Sequence, residues 1–173
     1  MVNAEQYTTA WKGGLSDYTD IKGDRLVYAI GGNHECYTAT YDAANAKWTS
    51  VETGLDADLW IESTGCELFY TVSSEPDNTT THNVYNSTIP DTDVFIMLSI
   101  KNASAPNLFF TSEDGEDEFV WLQNTLEANK NKRCYVFFHE HDNLDKTADP
   151  YYAYPYGISE NTKQGKAFID LMK

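Results

Sequence analysis

Three cysteines (Cys36, Cys66 and Cys134), widely spaced and odd in number, leave this chain without a disulfide framework or a cysteine zinc site. Cys134 falls inside an apolar run and is expected to behave as a small buried hydrophobe. Long apolar runs are missing too: nothing approaches the ~18 residues that a membrane-spanning helix needs. The opening "MVNAEQYTTAWK" has neither a basic stretch nor an apolar one, so no secretory signal is expected there. Basic residues are scarce, with 12 Lys and Arg against 27 Asp and Glu, for a net charge of −15. That surface repels phosphate backbones and anionic lipid, which argues against a nucleic-acid or membrane partner and suits cations.

Hydrophobic residues and aromatics, by contrast, are plentiful. Hydrophobic residues make up 41% of the 173 positions, and Tyr 12, Phe 8 and Trp 4 give a far richer aromatic content than a disordered chain carries. This length fits one domain with a proper core, and no repeat or linker divides it. Three N-x-S/T triplets, at Asn78, Asn86 and Asn102, lie in Thr- and Asn-rich sequence. The Tyr/Asn/Thr/Asp texture leans towards an extracytoplasmic bacterial protein.

The hydrophobic pattern alternates strands with helices, which predicts an α/β layer architecture. Residues 3–15 place Tyr7, Ala10, Trp11 and Leu15 on one helical face, and 40–50 read as a shorter helix. "RLVYAI" (25–30), "ELFYTV" (67–72), "DVFIMLSI" (93–100) and "CYVFF" (134–138) read as strands, the third as a central one. The stretch "TSEDGEDEFVWLQNTLEANKNKR" is acidic in front and basic behind, as the helix dipole favours, with Phe119, Leu122 and Leu126 as its stripe and Trp121 beside it. A final helix spans roughly 161–172.

Two polar clusters follow two of these strands. "AIGGNHECY" ends a strand-like run in two glycines and then sets Asn33, His34 and Glu35 in succession; "FFHEHDN" supplies His139, Glu140, His141 and Asp142. Chemistry in open α/β sheets gathers beyond the carboxyl ends of strands, so both clusters are expected at one crevice. Their imidazole nitrogens and oxygens suit Zn, Mn or Fe, not the metals that thiolates select. His82, in a Thr-rich loop, is expected to be exposed.

"GGNHE" together with "EDEFVWLQNTLEANKNKRCYVFFHEHD" resembles the calcineurin-like metallophosphoesterases, which carry G-N-H-[DE] after a strand, then a Trp-Leu helix, then a strand ending in a metal-binding histidine. The likeness runs from about residue 26 to 142. It implies a metallophosphoesterase-type α/β/β/α sandwich and a site for two divalent metal ions. Asn33 and His139 resemble ligands to one metal, His34 resembles the acid that protonates the leaving alkoxide, and Glu35 resembles the carboxylate that orients it. His141, Asp142 and Glu140 match no ligand position of the family and are candidates for supporting or substrate-side roles. The implied substrate is a phosphate mono- or diester.

Three motifs of that family are missing. The chain has no D-x-H and no G-H-x-H, and its one Gly-Asp pair, Gly23-Asp24, sits directly before the strand where the family has an intervening helix. The sequence opens where the helix after the family's G-D motif stands and closes on a helix that precedes its G-H-x-H strand. Residues 1–173 are therefore expected to be a single domain or the central fragment of a phosphoesterase domain, inactive alone and prone to self-associate through exposed sheet edges. The alternative is a non-catalytic binding or structural module on the same scaffold.

Overall fold

The computed structural model describes residues 26–32, 37–52, 60–61, 64–75, 82–100, 109–112, 115–139, 158 and 163–173. Strands β1 (Tyr37–Asp42) and β2 (Lys47–Glu52) pair antiparallel as a hairpin, in register from Tyr37 with Glu52 to Asp42 with Lys47. This corrects the helix expected over 40–50. Alanine favours a helix, but the flanking Thr, Tyr and Trp favour a pleated strand. The turn closes with Ala46 at φ +48, a left-handed residue that ends the loop and not a helix.

A second sheet has the order β4-β3-β5-β6, built from β3 (Phe69–Ser73), β4 (Asn83–Tyr85), β5 (Asp93–Leu98) and β6 (Arg133–Phe137). β3 runs parallel to β4 and antiparallel to β5, while β5 and β6 are parallel. Between β5 and β6 lies helix α1 (Glu118–Ala128), which makes a β-α-β unit; α2 (Lys163–Met172) closes the chain. The fold is thus α/β with a mixed four-stranded sheet, and β5 is central as its unbroken apolar run predicts. Among the described residues no helix is long and apolar enough to cross a membrane.

Side chains alternate across the sheet. Phe69, Val94, Ile96 and Leu98 face the helices and form one core with Trp121 and Leu122 of α1 and Phe168 and Ile169 of α2. Cys134 and Val136 of β6 border this core, half buried, and burial pushes the Cys134 thiol up despite nearby Lys132. Phe119 and Leu126, expected in the stripe of α1, pack at its rim, and Trp121 and Leu122 carry the burial. Asp117 caps α1 by accepting from the Phe119 and Val120 amides, both at 3.0 Å. Next to it, buried Glu118 exchanges bonds with Phe110: its carboxylate accepts from the Phe110 amide at 2.9 Å, and its own amide donates to the Phe110 carbonyl at 3.0 Å.

The other face carries Tyr70, Val72 and Met97, with Phe95 beside Tyr135 and Phe137 at the β6 edge. Residues 26–32 cross this face. Residues 25–30 are expected to be a strand, yet 26–32 join no ladder. Their backbone groups are met by side chains instead: the Ala29 amide donates to Cys66 Sγ at 3.4 Å, Tyr70 Oη donates to the Ala29 carbonyl at 2.8 Å, and the Gly31 amide donates to Ser99 Oγ at 2.8 Å. Burial, with Cys66 adding to it, raises the Tyr70 phenol far above its ordinary value, so it stays protonated and donating.

The parallel β5–β6 pair is locked at its start, where Asp93 and Arg133 are register partners. Asp93 accepts from Thr92 Oγ1 at 2.8 Å and from Arg133 Nε at 2.8 Å, and these bonds, the Thr92 one first, hold its carboxyl below the usual range. The unfolded chain then binds the proton more readily, so the stabilisation is full above the unfolded value of about 3.9 and is lost as pH falls through the lower, folded value. Asp93→Asn is expected to lower the urea midpoint by a constant amount from pH 5 to 8. The gap to the parent should narrow below about pH 4 and close on further acidification. A gap independent of pH down to strongly acid solution would show that the ionised carboxylate is not what counts.

Candidate functional site

The geometry of the expected crevice rests on two glycines. β5 and β6 are parallel and in register through Met97 and Phe137; carrying that register two residues on brings Ser99 level with His139. By the alternation along each strand, both positions belong to the face that residues 26–32 cross. Ser99 is fully buried, and its hydroxyl accepts from Gly31 while its own amide donates to the Leu68 carbonyl at 3.0 Å. The Gly31–Gly32 turn is thereby fixed at the ends of β5 and β6.

Gly32 lies directly against His139. A Cβ at position 32 would stand 2.5 Å from both Cγ and Cδ2 of the imidazole and 2.9 Å from Nε2. Its φ is outside the left-handed range, so close approach, and not torsion, is what calls for glycine here. The absent side chain gives the ring its place. His139 itself is exposed.

Of the residues singled out in the sequence, the structure thus brings His139 to the turn that leads into Asn33. Asn33, His34, Glu35, Glu140, His141 and Asp142 lie outside the described residues. So do Asp24 and the helix expected over 3–15. The described donor at the junction, the His139 imidazole, is of the kind that Mn, Zn or Fe accept. Among the described residues no group of three or more His, Cys, Asp and Glu is placed to hold a metal.

His82 corrects its expected exposure. Its side chain is 12% exposed and sits between two carboxylates, Nδ1 against Glu67 and Nε2 at 3.3 Å from Glu116. The ring meets Phe69 edge-on at 4.8 Å and Trp121 at 6.2 Å. Glu67 precedes β3 and Glu116 precedes α1, so the histidine ties the β4 edge to the start of the helix. Nothing periodic in the Thr-rich loop marks it, because both partners are remote in sequence.

Sequence reasoning also passed over Ser99, read there only as part of a strand. The signal available was a polar residue closing the most apolar run in the chain. Set against models of protein families, curated proteins and solved structures, the chain matches none of them.

Proposed function

We propose that this chain carries one side of a dimetal phosphoesterase site, with Asn33 and His139 as ligands to one divalent metal ion, His34 as general acid and Glu35 as the carboxylate that orients it. The substrate class is a phosphate mono- or diester. The observation that carries the reading is the contact of Gly32 with the His139 imidazole. It joins, at the ends of two parallel strands, the two motifs on which the resemblance to calcineurin-like metallophosphoesterases depends.

A bound divalent metal supplies charge neutralisation at the phosphoryl oxygens and a water acidic enough to attack near neutral pH. The residues of the chain do the rest. His34 gives its proton to the departing alkoxide, and Glu35 holds the imidazole in the donating tautomer. The acidic chain disfavours polyanionic partners and leaves small esters as substrates.

Catalytic zinc sites ordinarily use three protein ligands, and the D-x-H, G-D and G-H-x-H motifs that supply the others in the family are missing from this sequence. The chain by itself therefore binds metal weakly and turns over no ester. The same absence favours, as a second reading, a non-catalytic module on a phosphoesterase-like scaffold.

Manganese titration followed by nuclear magnetic resonance tests the proposal. Paramagnetic broadening is expected first at the Gly31 and Gly32 amides and the His139 ring, is abolished in His139→Ala, and leaves no metal bound after desalting. Broadening centred elsewhere overturns the site. Metal-dependent phosphatase turnover by this chain alone overturns the claim that its ligand set is incomplete, and it also removes the non-catalytic alternative.

A further inference from the structure

We infer that Ser99 is the positioning residue of this site: its buried hydroxyl sets the Gly31–Gly32 turn against the His139 imidazole. The inference rests on the phosphoesterase reading only for what the junction binds; the positioning itself stands on four described residues.

Ser99 terminates the central strand, is 0% exposed, and is the next residue on its face after Met97. Three constraints converge on it. Its amide is held by the Leu68 carbonyl at 3.0 Å, so its backbone cannot drift from the sheet. Carried two residues past the Met97–Phe137 pair, the parallel register places it level with His139, just beyond the neighbouring strand. Its hydroxyl accepts the Gly31 amide at 2.8 Å in a buried setting. Residues 26–32 join no ladder, so this bond, with the Cys66 and Tyr70 bonds to Ala29, replaces the strand pairing that would otherwise fix the turn.

The Ser99 bond is the last before Gly32. The Cys66 and Tyr70 bonds fasten Ala29, whereas the Ser99 bond holds Gly31, the residue directly before Gly32. Losing it also leaves the Gly31 amide buried without that acceptor. The Gly31–Gly32 segment then moves away from the sheet end and from the His139 ring. Serine is suited to this place because it is small enough for a position with no exposed surface and can accept without a formal charge.

The first readout needs no metal and no turnover. In the parent chain a nuclear Overhauser effect is expected between Gly32 Hα and His139 Hδ2. It should vanish in Ser99→Ala, while the ring contacts Phe69–Trp121 and Phe109–Phe168 persist and show an intact core. Ser99→Cys should restore it in part, since sulfur already accepts a backbone amide nearby, at Cys66. In the same Ser99→Ala variant the apparent manganese affinity at His139 should fall about 10-fold, the lower end for loss of a group that orients a ligand.

Persistence of the Gly32–His139 effect at parent strength in Ser99→Ala overturns the inference. Loss of the effect in Ser99→Ala, with manganese ignoring the junction even in the parent chain, upholds Ser99 as the positioning residue and removes the phosphoesterase reading.

Discussion

Replacing Trp121 by alanine is expected to cost about 3–5 kcal/mol and to lower the melting temperature by roughly 6–20 °C. The indole is 2% exposed at the centre of the helix-covered core, 5.0 Å from Phe69 and 6.2 Å from His82. It links α1 to β3 and, through His82, to the β4 edge. Truncation there opens a cavity between sheet and helix that no single neighbour can fill. A domain holds only about 5–15 kcal/mol in total, so one such change is a large share of it.

Trp121→Phe separates packing from polar contributions. The indole Nε1 is buried and makes no hydrogen bond among the described residues. A phenyl ring therefore forfeits contact area but strands no partner, and the cost should stay at about 1–2 kcal/mol. Thermal melts of the two variants give the comparison. Equal losses for alanine and phenylalanine would show that the indole nitrogen, not the volume, is what the core requires.

The same region shows which parts of the fold can be read from sequence. β5 is evident because six apolar-rich residues covered on both faces leave no other pattern for "DVFIML". Helix α1 is legible in the stretch 111–133, but its start at the Asp117 cap is fixed by the structure and not by the sequence pattern. Where the reading failed, the deciding partners were remote. Residues 26–30 have the composition of a buried strand, but the Ala29 backbone is met by the Cys66 and Tyr70 side chains, and that of Gly31 just beyond by Ser99, which no local period reports. Residues 40–50 turned on a closer contest between alanine's helical preference and the strand preference of Thr, Tyr and Trp, and the register of the hairpin records which side prevailed.

The candidate site divides in the same way. That two polar clusters would meet at one sheet end is an expectation from α/β topology; of their residues only His139 is described, and Gly32 lies against it. The serine that holds the turn was not legible, since a lone hydroxyl at a strand end has no spacing rule. Nor was the burial of His82, because Glu67 and Glu116 reach it from separate elements.

Gly32→Ala is expected to reverse the balance seen at Trp121, with little change in stability and a large loss at the site. The new Cβ would lie 2.5 Å from Cγ and Cδ2 of His139, closer than packed carbons approach, so one of the two groups moves. The turn is held by the buried Gly31–Ser99 bond, whereas His139 is exposed and its ring rotates about the side-chain bonds. Turning the imidazole into another rotamer costs about 0.5–1.5 kcal/mol, which for a chain of this size is a melting shift of only about 1–6 °C. The backbone tolerates alanine there, because φ is not in the left-handed range.

The ring that leaves takes its donor nitrogens with it. On the proposed metal site, manganese affinity at the junction should drop about 10–100-fold, the range for a ligand that has lost its orientation. The Gly32–His139 Overhauser contact has no Gly32 hydrogen left to report it in the required position. Heat and manganese titrations on one sample decide between the outcomes. A melting loss as large as that of Trp121→Ala would mean that the turn, not the histidine, gave way. Unchanged manganese broadening at His139 would mean that metal binding does not depend on the place the missing side chain leaves. A cold site on an intact fold is what the geometry requires, because the bond that fixes the turn and the ring that yields to it belong to different strands.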